Sequence, residues 1–178
     1  MGMRYDVLEN KWEGYSLDEK ELRLHRCCFT GHRPEKLVVP IGKVITGLQQ
    51  EIEKAIEDGF STFITGMARG VDIWAGEIVL ELRDKGRPIR LICASPYHGF
   101  EEGWSDEWKQ RYRSVMTKSD LVRFICPGYS SGCFQRRNEW MVDHAARVIA
   151  VFNGQQSGTK NTIDYAEQRC VPVHMVKG

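Results

Sequence analysis

Two Thr-Gly pairs, Thr30-Gly31 and Thr65-Gly66, each close a short apolar run and open onto polar residues. His32 and Arg33 follow the first pair; Met67, Gly70 and Asp72 follow the second. Glycines at a strand-to-helix turn let backbone N–H groups approach an anion, and the start of the next helix adds partial positive charge. The repetition predicts a cradle for phosphate oxygens built from two strand ends. Asp72, at the beginning of a helical segment, can cap that helix or accept hydrogen bonds from ribose hydroxyls, and the sequence leaves both roles open. His32 and Arg33 read as turn residues outside the sheet rather than as core.

Three further segments carry suitable chemistry. Pro96 and Tyr97 follow another apolar run, and a planar ring such as that of Tyr97 stacks on any nucleobase. Trp104 and Trp108 are assigned to packing instead. In GCFQRRNEWMVDHA, Phe134, Asn138 and Met141 share one helix face, while Arg136 and Arg137 diverge by about 100°. At most one of the two arginines faces a ligand, and Arg137 with Asn138 is the expected pair. Finally, VFNGQQSGTKNTIDYA presents Gly158, Thr159 and Thr162 at a second glycine-bearing turn before a helix, again suited to phosphate.

Holding these segments in place requires alternating elements. Apolar runs at about 22–29, 60–64, 89–94, 121–126, 148–152 and 171–176 read as buried strands. Between them lie apolar stripes at helical spacing: Ile41 to Ile56, Val71 to Leu82, Trp104 to Val115, Phe134 to Ala145, and Ile163 to Cys170. Strands alternating with helices predict a Rossmann-like, doubly wound α/β fold, with a mainly parallel sheet covered on both faces. In such sheets ligands bind beyond the carboxyl ends of the strands. Residues 1–22 read as a polar extension and 23–178 as one nucleotide-binding domain.

Composition narrows the function classes. The 178 residues include 25 basic and 24 acidic side chains, a net charge of +1, so the strong basic footprint of a dedicated duplex binder is missing. No apolar run approaches the roughly 18 residues of a membrane span, and the start has no signal-type apolar stretch, so a cytoplasmic protein is expected. Six cysteines without a CxxC pair read as free buried thiols, and neither a metal nor a required cofactor is expected.

Taken together, FTGHRPEKL, ITGMARGVDIWA, ASPY with Trp104 after it, FQRRNEWMVD and SGTKNTIDYA resemble the YpsA-like group of the SLOG superfamily, which joins the Smf/DprA fold with the LOG phosphoribohydrolases. The resemblance runs from Cys27 to Val176. It implies binding or sensing of a nucleotide or nucleotide-derived ligand such as ADP-ribose, with Gly70 and Asp72 in the pocket segment. Cleavage of the base–ribose bond is the alternative. There, Arg137 matches the LOG arginine, Asn138 replaces a lysine, and Thr162 stands where LOG enzymes carry a glutamate. A threonine neither stabilises a ribosyl cation nor acts as a comparable base near pH 7, so Asp72 or Asp164 would have to substitute. A third reading is a single-stranded DNA or protein-interaction factor. Pairing of two copies through helices is compatible with the group and is not specified by any residue pattern.

Overall fold

The computed structural model describes residues 11–12, 15–16 and 18–178. Strands β1 (Lys11–Trp12) and β2 (Tyr15–Ser16) pair antiparallel. Helix α1 (Glu19–Leu24) follows, started by Asp18, whose side chain accepts the Lys20 N–H at 3.3 Å. This corrects the expected strand start near Leu22. The segment EKELRL consists of good helix formers, and the strand waits until Arg26. Of the expected 1–22 extension, residues 1–10, 13, 14 and 17 lie outside the described residues.

Six strands make the main sheet: β3 (Arg26–Gly31), β4 (Thr62–Thr65), β5 (Arg90–Ser95), β6 (Leu121–Phe124), β7 (Arg147–Phe152) and β8 (Val173–Lys177). Every neighbouring pair is parallel, in the order β6-β5-β4-β3-β7-β8. Parallel neighbours need crossovers, supplied here by α2 (Ile41–Glu57), α3 (Val71–Asp84), α4 (Asp106–Lys118), α5 (Cys133–Asp143) and α6 (Gly158–Gln168). The alternation of side chains along a strand divides the core in two. Cys27, Phe29, Phe63, Leu91 and Ile149 pack with Val44, Leu48, Ile73 and Tyr112 of α2, α3 and α4. Cys28, Ile64, Ile92 and Val148 pack with Met141, Val142, Ile163 and Ala166 of α5 and α6. The protein is therefore a Rossmann-like α/β fold, with helices on both faces of a parallel sheet.

Two more of the six apolar runs behave differently from the expected buried strands. Leu121–Phe124 is an edge strand with Val122 and Phe124 exposed, and Ile125 and Cys126 fall beyond it. The last strand begins at Val173 rather than Val171, after Pro172, which has no N–H to give to a ladder. Trp104 likewise precedes α4 instead of lying on it. The cysteines are all free; five are buried as expected, while Cys170 is exposed. Among the described residues no helix is long and apolar enough to cross a membrane.

Strand order reverses at β3. The chain steps outward through β4, β5 and β6, then returns to place β7 on the opposite side of β3. The carboxyl end of β3 thus borders the crevice where such folds bind ligands.

Candidate functional site

The turns after β3 and β4 meet at the amino end of α3. A Cβ on Gly31 would come within 2.5 Å of Val71 Cγ1, so only glycine lets the end of β3 lie against the first residue of the helix. Gly70, at φ +89 and ψ −121, occupies a backbone region that side-chain-bearing residues rarely adopt. A Cβ there would stand 3.0 Å from the His32 carbonyl oxygen and 2.8 Å from Pro34 Cδ. The two strand ends expected to form a cradle are therefore in contact.

The amino end of α3 is buried and receives no side-chain cap from Gly70. A buried helix start with no capping partner leaves N–H groups in need of an acceptor. Two polar atoms nearby are also unmet: His32 Nε2 and Asp72 Oδ1 are both buried without a hydrogen-bond partner, in residues that are each 5% exposed. His32 stacks on Phe152 at the end of β7, with ring centroids 5.7 Å apart, on the crevice side of β3. Burial lowers its pKa, against the opposing pull of a side-chain hydrogen bond with Asn153. This corrects the expectation of a surface turn: His32 is enclosed, while its neighbour Arg33 is exposed and makes no ion pair among the described residues.

Asp72 points the other way, toward β4. Its Oδ2 accepts the Ala68 N–H at 3.2 Å. Burial raises its pKa to about 6, against the opposing pull of the Arg137 charge and the Ala68 N–H. Arg137, on α5, donates through Nε to Asn138 Oδ1 at 2.8 Å and through Nη1 to the Gly66 carbonyl, leaving Nη2 without a partner. Asp72 and Arg137 do not form a direct ion pair, yet both close on Gly66: a Cβ there would be 2.8 Å from Asp72 Oδ2 and 2.8 Å from Arg137 Nη1. Burial lowers the Arg137 pKa, with Asp72 opposing and the nearby Arg33 charge adding to the effect. Arg136 faces outward to Ser130, as the helical divergence of the two arginines requires.

Several of the expected ligand residues also make bonds within the protein. Thr65 Oγ1 donates to the Asp72 carbonyl at 2.7 Å and accepts from Met67 N–H, so it locks the turn. Met67 is fully buried in the core at φ +64, and it contributes backbone strain rather than a side-chain contact. Pro96 is buried, with its carbonyl oxygen accepting the Cys126 N–H. At α6, Ser157 caps the helix through Lys160 N–H, and Thr162 Oγ1 donates to the Gly158 carbonyl at 2.9 Å. Thr159 and Thr162 are both buried, and Asp164 is paired with Lys160 on the same helix. Thr30 is buried near the end of β3, paired with Ala150 of β7.

The aromatic wall is larger than expected. Tyr97 sits edge-on to Tyr129 with centroids 5.9 Å apart, and Phe100 and Phe134 pack on its other sides. Tyr129 is 71% exposed, and only its place in a loop after a strand could have marked it. Phe134 precedes Arg137 by one helical turn, which joins this wall to the polar centre. Trp104 and Trp108 pack against Tyr112 and Trp74, in line with their assignment to structure. Asn153 was missed as well: its Nδ2 donates to the Lys36 carbonyl at 2.8 Å, tying the turn after β7 to the turn after β3. Among the described residues, no group of three or more His, Cys, Asp or Glu side chains is placed to hold a metal ion.

A parallel sheet whose order reverses beside a glycine-built, polar strand-end cluster defines a Rossmann-like α/β protein. A profile described as the YspA SLOG family matches residues 27–176, and the chain belongs to that family. It is 34% identical over 118 residues to an uncharacterised SPbeta prophage-derived protein, YoqJ, of Bacillus subtilis, covering 60% of this chain and 69% of that one. A UPF0398 protein of Bacillus pumilus is 23% identical over 138 residues, covering 73% and 74% of the two chains. Among solved structures, DNA processing protein A of Helicobacter pylori, described for its single-stranded DNA binding mode, superposes with a TM-score of 0.60 at 17% identity over 90% of this chain and 68% of that one. The Streptococcus pneumoniae protein of the same name gives 0.58 at 17% identity over 88% of this chain, which spans about half (52%) of that protein's length. These structural likenesses concern the fold.

Proposed function

We propose that the protein binds a nucleotide or nucleotide-derived ligand across the carboxyl ends of β3, β4 and β5. The observation that carries this reading is the buried, uncapped start of α3, flanked by two buried side-chain atoms without hydrogen-bond partners, His32 Nε2 on the β7 side and Asp72 Oδ1 on the β4 side. Buried polar groups are normally paired, and unpaired ones concentrate where a ligand supplies the partner. The exposed Arg33 guanidinium and the α3 amides suit phosphate oxygens. The exposed Tyr129, beside Tyr97, offers a ring to a base. ADP-ribose, with two phosphates between two sugars, is one ligand that spans these features.

Hydrolysis of a base–ribose bond is less well supported. Thr162 and Asp164 are occupied by internal bonds, which leaves Asp72 as the carboxylate beside the arginine. Single-stranded DNA is the second reading, favoured by the likeness to the Helicobacter pylori protein and by the exposed Tyr129 ring.

Melting curves with AMP, ADP, ADP-ribose and a short oligodeoxynucleotide, followed by chromatography of the mixtures, test these readings. A melting shift with the small nucleotides and no free base supports a binding module. Free base supports hydrolysis, and a shift with the oligonucleotide alone overturns the proposal.

A further inference from the structure

We infer that His32 is a proton-linked anion partner: an oxyanion of the ligand accepts from its Nε2–H, and binding takes up a proton from solvent. The inference rests on the nucleotide reading above and adds to it a dependence on pH. It starts from the tautomer of the ring. Asn153, on the turn after β7, spends Nδ2 on the Lys36 carbonyl at 2.8 Å, and its bond to His32 favours the charged ring, so the Asn153 oxygen is the atom that faces the imidazole. Nε2 is the ring atom without a partner, so that bond engages Nδ1. The neutral ring therefore carries its hydrogen on Nδ1 and a lone pair on Nε2.

A lone pair accepts from a hydroxyl or an amine, whereas a protonated Nε2 donates to an anion. The surroundings decide between the two. The charge that acts on the ring is Lys36, and the exposed Arg33 lies on the same turn. The start of α3 is adjacent, since a Cβ on Gly70 would stand 3.0 Å from the His32 carbonyl oxygen. The other neighbours add no opposing charge: Phe152 stacks on the ring, Asn153 is neutral, Asp72 turns toward β4, and Lys160 of α6 is paired with Asp164. Two cations and the amides of a helix start attract an anion. Burial and Lys36 disfavour the protonated ring, and an oxyanion at hydrogen-bond distance reverses that balance. The proton comes from solvent and settles on Nε2, and no covalent bond of the ligand changes.

The ring is enclosed by surface turns rather than by core. Arg33 and Lys36 on one turn, and Gly154 and Gln155 on the other, are exposed, and the two turns are clasped by the exposed Asn153–Lys36 hydrogen bond. Gly154 holds a left-handed backbone at φ +88 in the second turn. An anion reaches Nε2 by parting these turns, with the sheet left as it is.

The test is isothermal titration of the full chain with ADP-ribose, whose two phosphates do not titrate near neutral pH, in two buffers of different ionisation enthalpy. The proteins are the parent, His32→Gln and Asp72→Asn. Asp72 is the control because its carboxyl, raised by burial to about 6, is the other group at the α3 start able to take up a proton. For the parent, the binding enthalpy should differ between buffers, and affinity should rise by up to about tenfold per unit fall in pH where the free and bound rings differ in charge. His32→Gln offers an amide donor at every pH, so its binding should lose both the buffer difference and the pH slope, while Asp72→Asn keeps them. Proton uptake that persists in His32→Gln, or is lost in Asp72→Asn alone, overturns the assignment. So does a parent enthalpy equal in both buffers, which leaves the nucleotide reading intact. No binding by the parent overturns both. Should His32→Gln fail to fold or to bind, the His32 Cε1–H resonance of the parent, titrated with and without ADP-ribose, decides: its apparent pKa rises on binding, and an unchanged value overturns the inference.

Discussion

Asp72 is a carboxyl group enclosed at the start of α3 with one oxygen unpaired, and burial raises its pKa from 3.8 to about 6. Between those two pH values the folded protein holds a proton that the unfolded chain has already released. Stability at this group therefore falls as pH rises from about 4 to about 6, and the cost stays in full above that window. Two pKa units correspond to about 3 kcal/mol, an upper figure for one buried group. Asp72→Asn is expected to raise stability by about 1–3 kcal/mol at pH 7.5 and to change it little at pH 4, as read from denaturant melts at both pH values. A gain that does not depend on pH would contradict this. Arg137 behaves differently, because it braces the Gly66 turn. Arg137→Ala should cost about 2–3 kcal/mol in the same assay, since it removes a charged donor from a buried carbonyl, whereas Arg136→Ala should stay within about 0.5 kcal/mol. The sequence separated these two arginines through helical divergence alone. It could not show that His32 is enclosed or that Thr65 and Thr162 turn their hydroxyls inward, because those outcomes depend on which backbone carbonyls lie opposite.

The elements that hold the site were readable in proportion to how completely they are buried. α2 and α3 have apolar stripes against a sheet whose centre is apolar on both faces, and their spans match the periodicity closely. The misplaced boundaries fall where a different local force governs: the Asp18 cap that makes 19–24 helical, the solvent on edge strand β6, and the proline before β8. The joints between elements allow sharper tests. Gly31→Ala would force the end of β3 away from Val71, and overpacking of that kind costs about 1–3 kcal/mol. Gly70→Ala carries a backbone penalty of similar size and is expected to unfold cooperatively while losing its melting response to nucleotides. Tyr112 reaches from α4 to the end of β5, where its hydroxyl pairs with Ser95 Oγ at 2.8 Å. Tyr112→Phe should cost about 1 kcal/mol by the same melts, and no loss would mean that the tip of β5 is held by packing alone.

At the scale of the whole molecule, charge balance and topology bear on different questions. The six-stranded parallel sheet and the match over residues 27–176 make the chain a member of the YspA SLOG family. Family membership leaves the ligand open, and the near-zero net charge bears on that choice. A protein whose affinity came from many phosphate contacts along a DNA strand would lose it steeply with salt, with a slope near −0.7 per contact. The site described above, with one exposed arginine and a helix start for the anion, predicts a shallow dependence equivalent to about one or two contacts between 50 and 300 mM salt. The central claim is that the ligand sits over the ends of β3 and β4. The most direct measurement is a crystal structure of the protein soaked with ADP-ribose. The account predicts density over the ends of β3 and β4 at the start of α3, with a phosphate near Arg33 and the α3 amides. Density seated elsewhere on the sheet would contradict it.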